Sequence, residues 1–218
     1  MVATTGPTAA LAGVPTGLQA QGVWTGRRQL FIRFAAEAET ATMYTAQAIA
    51  QELKRSAGRS VFHSISIGGR DPLSNLEFLV AALDTGPLPL PVMLDVDGQR
   101  PDGVKALAKH LALAQITLDG GLSDALLERA VESLGEAARA GIEHAMVLAP
   151  SDAVTDGQML RVIEQAHRAS EKAIVVIHPP LALPVDRDRR WVMLMEKASA
   201  LHKDTRFVLR LPPPTGTR

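Results

Sequence analysis

Runs of apolar, β-favouring residues recur along this chain at intervals of about 30 residues, each followed by a segment with helical periodicity. This alternation constrains the fold more than any other property of the sequence. Gln29–Phe34, Val61–Ile67, Pro91–Val96, Ala114–Leu118, His144–Leu148, Ala173–Ile177 and Arg206–Leu209 read as strands. Val-Met-Leu-Asp-Val at 92–96 and Ala-Ile-Val-Val-Ile at 173–177 are almost continuously apolar, as parallel strands covered on both faces require. Between the strands, Thr40–Ala57 carries Met43, Ala46, Ala50 and Leu53 on one helical stripe. Ser123–Ala140 carries Leu127, Val131, Leu134 and Ala138, with Ser123 as N-cap and Gly141 just past the end. Thr155 and Gln158 read as a capping box ahead of Leu160, Ile163 and His167. The pattern predicts an α/β fold with a parallel sheet. Six βα units and a last strand fall short of an eight-fold barrel of about 250 residues. A partial barrel and a doubly wound sheet both satisfy the count.

Size and composition narrow the function classes. The chain has 218 residues, 46% hydrophobic, enough for one domain with a substantial core. Its 23 basic and 23 acidic residues cancel, and no basic cluster stands out, so neither nucleic acid nor an anionic membrane is expected as a partner. No apolar run approaches the roughly 18 residues of a membrane span. The N-terminal stretch lacks the pattern of a signal peptide, so a soluble cytoplasmic protein is expected, with residues 1–18 a flexible lead-in and 19–218 a single domain. There is no cysteine, hence no disulfide, thiolate metal site or thiol nucleophile.

Gln19-Ala-Gln-Gly22, then Gly26, then Leu30-Phe-Ile-Arg-Phe34 resembles the opening of the radical S-adenosylmethionine (SAM) superfamily, in particular the 7-carboxy-7-deazaguanine synthase family. There a Q-G-E-G-x-x-x-G stretch and an F-x-R strand lead into a C-x-x-x-C-x-x-C loop. Ile65-Ser-Ile-Gly-Gly-Arg-Asp-Pro-Leu73 is similar to the family's T-G-G-E-P-L, and Leu94-Asp-Val-Asp-Gly98 to its L-E-T-N-G. Ile116-Thr-Leu-Asp119 falls where the next strand end belongs, and His202-Lys-Asp-Thr-Arg206 through Arg218 resembles the closing segment. The likeness spans about 200 residues and implies a partial (β/α)6 barrel with its site at the C-terminal strand ends, where loops and helix N-termini converge.

The departures are concentrated at the chemistry. Glu37, Ala41 and Tyr44 occupy the three cysteine slots, and Ala36 replaces the loop glycine. Ala46 replaces the threonine that the resemblance implies for a magnesium site; Gln21 and Arg70-Asp71 replace site glutamates, and Asp97 an asparagine. A [4Fe–4S] cluster is held by thiolates, so radical chemistry and an iron–sulfur cluster are not expected, and no metal site is assigned.

Several residues are candidates for a remaining site. The resemblance puts Gly68, Gly69, Asp97 and Asp119 in a vestigial SAM pocket and Gln21 and Arg33 against a substrate. Gly68-Gly69 can cradle an anion through backbone amides or simply make a turn. Asp95, Asp97 and Asp119 can together bind a ribose, a divalent ion or an ammonium group, or Asp97 and Asp119 can cap helices. Arg33 can face a carboxylate or sit in a structural ion pair. Glu37, Asp95, Asp97, Asp119 and His178 are the candidate catalytic groups, with structural roles as the alternative for each. Trp24 and Tyr44 can stack on a flat ring or pack at a seam. Two functional readings follow. The first is a non-radical pseudo-enzyme that binds a ligand or supports a partner, whether a homologous or pathway enzyme or a second copy of itself. The second is a repurposed enzyme that keeps a SAM- or purine-like pocket and does polar chemistry with strand-end Asp, Glu or His.

Overall fold

The computed structural model describes residues 6–35, 40–180 and 187–211. The elements follow in the order β1 (Thr8–Leu11), β2 (Thr16–Leu18), β3 (Arg28–Phe34), β4 (Thr42–Thr45), α1 (Ala46–Arg59), β5 (Ser64–Gly69), α2 (Leu76–Leu83), β6 (Val92–Val96) and α3 (Pro101–Leu107). They continue with β7 (Leu113–Gly120), α4 (Asp124–Arg139), β8 (Glu143–Pro150), α5 (Asp156–Ala169), β9 (Ile174–Ile177), α6 (Arg189–Leu201) and β10 (Thr205–Phe207). All ten strands join one sheet, ordered β10-β9-β8-β7-β6-β5-β3-β1-β4, with β2 on β3.

From β3 to β10 the β5–β10 strands are parallel and stand in chain order. Right-handed crossovers in a strictly sequential order lay every helix on the same face. The contacts agree: α1 packs on α2, α2 on α3, α3 on α4, α4 on α5 and α5 on α6. A doubly wound sheet would need the order to reverse, and it does not. The fold is therefore α/β with a mostly parallel sheet and one layer of helices, and the sheet is not closed.

The main core lies between that layer and the sheet, with Leu30, Ile32, Ile65, Ile67, Leu94 and Ile116 among its fully buried side chains. The opposite, helix-free face is covered differently. Met93, Leu113, Ala145, Val147, Ile174 and Val176 form a second apolar cluster there, closed over by Val23, Trp24 and Val208. Both faces of β6 and β9 thus carry buried apolar side chains, which is why 92–96 and 174–177 read as nearly continuous apolar runs.

α4 and α5 begin as their sequences predict. Ser123 accepts from Leu126 N–H at 3.3 Å, and Thr155 and Gln158 form the reciprocal capping box. Three expectations need correction. Residues 8–11 and 16–18, read as part of a flexible lead-in, form β1 and β2, with Ala9 and Leu11 buried at 2% and 0% exposure. These strands pair with the outer side of β3 and so cover an edge that would otherwise present unpaired backbone groups. The helix read from Thr40 starts only at Ala46, because Thr42–Thr45 is rich in β-formers and pairs with β1; Thr45 then caps Ala48 N–H at 3.1 Å. Met43 accordingly points to solvent at 63% exposure, and Ile49 takes its place on the buried stripe. The strand read from Val61 begins at Ser64, leaving Val61 at 87% exposure. Among the described residues no helix is long and apolar enough to cross a membrane.

Candidate functional site

The segment from Gln19 to Arg27 is the piece of chain that closes the helix-free face, and its hydrogen bonds show how it is held. Gly22 N–H donates to His178 Nε2 at 2.7 Å, and Val23 N–H donates to Gln115 Oε1 at 3.1 Å. Gly22 has φ +81, a conformation glycine adopts without strain, and a Cβ there would meet the end of the Gln115 side chain, which would have to give up its bond to Val23 N–H and move. His178 Nδ1 lies 2.7 Å from the Val208 carbonyl. A carbonyl only accepts, so Nδ1 carries the proton and Nε2 receives Gly22. Burial pushes the His178 pKa down, with the nearby Arg210 adding to the effect, against a raising contribution from the Val208 bond. The neutral ring this favours is the form both bonds need.

Beside this segment, the C-terminal ends of β3, β5, β6 and β7 open into a cleft of about 310 Å³. Strand register builds it: Arg33 pairs with Gly68, and Asp95 with Gln115, on the helix-free face. At its floor Thr117 Oγ1 donates to Asp95 Oδ1 at 2.6 Å. Gln19 Nε2 and Gln21 Nε2 approach Asp95 Oδ2 at 3.3 and 3.5 Å. Burial still outweighs these donors and pushes the Asp95 pKa up. Gln21 Oε1 is buried and has no hydrogen-bond partner among the described residues. The wall beyond is Gly68-Gly69. Gly69 has φ +98, and a Cβ would meet Phe34 O at 2.5 Å and Phe34 N at 2.8 Å.

Gln21, Arg33, Gly68, Gly69, Asp95, Asp97 and Asp119, all named from sequence, therefore line one cleft. Neither Asp97 nor Asp119 caps a helix. Asp97 Oδ1 accepts from Gln99 N–H at 3.0 Å across a tight turn, and Asp119 Oδ2 accepts from Arg210 at 3.1 Å. Arg33 is exposed at the cleft rather than buried in the strand. His178 does not line the cleft; both its nitrogens are committed to holding the segment above it. Glu37, with Ala36 and Glu39, lies outside the described residues, as does the tail from 212. Ala41 is exposed, and Tyr44 sits in β4 opposite Ala9, away from the cleft lining. Trp24 packs edge-on to His63, ring centroids 4.8 Å apart, within the inner seam. Asp71 forms a two-pronged ion pair with Arg100, at 2.8 and 2.7 Å, on the neighbouring loop.

Gln19, Phe31, Ser66 and Thr117 also line it, with Ile32 and Val96, and were not named as site residues from sequence. Counting by two from Arg33, Gly68 and Asp119 gives Phe31, Ser66 and Thr117, because side chains alternate faces along a strand. Gln19 carried no such signal, since it reaches the cleft from the covering segment.

The cleft carries three carboxylates against Arg33 within its lining. Its floor presents the Asp95 carboxylate, so the arrangement is suited to a ligand that donates hydrogen bonds or carries positive charge. Among the described residues no group of three His, Asp or Glu side chains is placed to hold a metal ion, and the chain has no cysteine. No protein-family model matches the chain, and no curated protein matches it.

Proposed function

We propose that this protein is a non-radical, ligand-binding pseudo-enzyme derived from radical-SAM-type barrels. In this reading its cleft takes a small polar molecule with amine and hydroxyl donors, of the SAM or purine-nucleoside kind, and the protein serves a pathway enzyme as an accessory. The observation that carries it is Asp95, a half-buried carboxylate on the cleft lining whose pKa is pushed up by desolvation. Desolvating a charge costs stability, and a donor-bearing ligand would offset that cost. The fold in this reading is a partial (β/α)6 barrel, supported by the sequential parallel order and the single helix layer.

Thermal shift with SAM, S-adenosylhomocysteine and purine nucleosides tests it. A ligand at about 100 times its Kd raises stability by roughly 2.7 kcal/mol. No shift with any of them at millimolar concentration rejects a nucleoside-type cleft. Co-purification from the native host tests the accessory role, and a protein that runs alone there rejects it.

The raised pKa of Asp95 favours a second reading, in which the same cleft does polar catalysis and this carboxyl transfers a proton. The two separate on Asp95→Asn. Loss of a turnover that the wild type shows, with ligand binding kept, belongs to the enzyme; loss of binding alone belongs to the pseudo-enzyme.

A further inference from the structure

We propose that the segment from Gln19 to Arg27 is a strap beside the cleft that protonation releases, with His178 as its latch. Two bonds build the latch and admit only one state of the ring. Nδ1–H donates to the Val208 carbonyl at 2.7 Å, and Nε2 accepts from Gly22 N–H at 2.7 Å. An imidazolium carries a proton on each nitrogen and has no acceptor. Protonation therefore keeps the Val208 bond but sets Nε2–H against Gly22 N–H, donor against donor. His178 is 3% exposed, so its charged Nε2–H finds a new partner only when the segment moves away. The latch opens on one side only.

The strap is built to move as a body. Gln19 N–H donates to Arg27 O at 2.9 Å and Gly26 N–H to Gln19 O at 2.8 Å, closing its base on the end of the β2–β3 pairing. Within it, Arg27 N–H donates to Trp24 O at 3.0 Å and Thr25 Oγ1 to Gly22 O at 2.7 Å. Toward the sheet the bond to His178 is the shortest. Val23 N–H stands 3.1 Å from Gln115, and Gln19 and Gln21 stand 3.3 and 3.5 Å from Asp95. One further bond, Leu211 N–H to Ala20 O at 2.9 Å, ties the strap to the C-terminal segment. From Gln19 to Gly26 the strap has no ionisable side chain, nor has the neighbouring end of β8 from Val147 to Pro150. Among the described residues the charged groups facing His178 are Arg210 beyond β10, Asp95 on β6 and Asp119 on β7. Burial lowers the His178 pKa, against the Val208 bond and the two carboxylates, and Arg210 adds to the lowering. The strap is accordingly closed at neutral pH and opens on acidification. Because Gln19 and Gln21 line the cleft, opening removes one of its walls. That consequence for binding rests on the cleft being a ligand site; the motion of the strap does not.

Trp24 reports on the strap, since it belongs to it and packs on the second apolar cluster. A Trp191→Phe background leaves it as the single tryptophan. Its emission is followed without ligand from about pH 7.5 to about pH 4.5, across the range in which a buried histidine titrates. A reversible red shift is expected, with its midpoint below the ordinary histidine value of about 6.5 and far-UV circular dichroism unchanged. His178→Gln keeps an acceptor that does not titrate and should abolish the shift. His63→Gln should retain it, a control required because His63 packs edge-on against Trp24 and has a lowered pKa of its own. Ring-nitrogen NMR of His178 in the wild type should give the same midpoint, which tests the latch even if the variant does not fold. A shift that persists in His178→Gln assigns release to Asp95, which meets Gln19 and Gln21 and also takes up a proton, and overturns the latch. So does a wild type without the shift, a shift lost in His63→Gln, a His178 ring that stays neutral through it, or a dichroism signal that collapses with it. A strap that opens as described in a protein whose melting temperature no nucleoside moves keeps the latch and rejects only the nucleoside reading of the cleft.

Discussion

Thr117 anchors Asp95 Oδ1 with a 2.6 Å hydrogen bond, while Gln19 and Gln21 approach Asp95 Oδ2 at 3.3 and 3.5 Å and Gln115 also donates to this carboxylate. Burial raises the pKa of this carboxyl, which means that the folded state favours its protonated form.

The sign of the pH effect follows from that direction. The contribution of Asp95 to stability is fully present below the ordinary aspartate value of about 3.9 and is lost as pH rises through the raised folded value. Asp95→Asn removes the penalty of desolvating a charge, and its amide oxygen can keep the bond from Thr117. We predict that Asp95→Asn stabilises the unliganded protein at pH 7 by about 1 kcal/mol, or roughly 2–4 °C in Tm. The gain should shrink toward pH 4. A variant that melts below wild type at pH 7 would contradict this, and melting curves at the two pH values decide it.

His178 holds the covering segment, and its removal should be expensive. His178→Ala leaves Gly22 N–H and the Val208 carbonyl without their partners and opens a gap under the segment. The expected loss is about 2–4 kcal/mol, measured by denaturant unfolding. The pH dependence runs opposite to that of Asp95. A histidine with a lowered pKa stabilises the fold above its unfolded value of about 6.5 and loses that contribution as pH falls toward the folded value. Wild type should therefore weaken as pH drops below about 6.5, and His178→Ala should show a smaller slope there.

Much of this was legible in the sequence, and the reasons differ by element. The parallel strands were read to within a few residues because burial on both faces leaves uninterrupted runs such as 92–96 and 173–177. α5 was legible from its Thr155–Gln158 box, a local interaction that needs no tertiary context. β1, β2 and β4 were not legible. Each is three or four residues long and owes its state to pairing with a distant segment, Ala9 with Tyr44 and Gly17 with Gln29. The cleft was read residue by residue from strand-end positions, yet its floor was incomplete. Gln19 enters from a segment whose position over the sheet depends on His178 and Gln115, more than 90 residues away. Long-range contacts of that kind leave no local periodicity.

The loop pair beside the cleft should matter little to stability. Arg100 and Asp71 bond through two prongs, but their side chains are 49% and 45% exposed, so solvent screens them. Arg100→Ala is expected to cost about 1 kcal/mol or less, falling further at high salt. Asp71 adopts φ 39, a left-handed conformation that glycine takes without strain. Asp71→Gly should therefore be milder than Asp71→Ala, because relief of backbone strain offsets the lost ion pair. The Arg100 bond lowers the Asp71 pKa, so what the pair contributes is present above the ordinary aspartate value and is lost as pH falls. Chemical denaturation of the three variants at low and high salt measures all of this.

Gly68 and Gly69 are neighbours with different requirements, and substituting each separates fold from site. At Gly69 a Cβ would lie 2.5 Å from Phe34 O and 2.8 Å from Phe34 N, both backbone atoms of the paired strand, at φ +98. Neither atom can move without breaking the β3–β5 pairing that ends there. Gly69→Ala is predicted to destabilise by about 2–4 kcal/mol. At Gly68 the nearest atoms to a Cβ are Asp95 O at 3.6 Å and Asp95 Cβ at 3.9 Å, ordinary contact distances. Gly68→Ala should stay within about 1 kcal/mol of wild type. Its methyl group nonetheless projects beside Asp95 on the cleft lining, so it should weaken whatever ligand shifts the wild-type melting temperature. Equal destabilisation by the two substitutions would mean that the wall is not held by β3 in the way its register indicates.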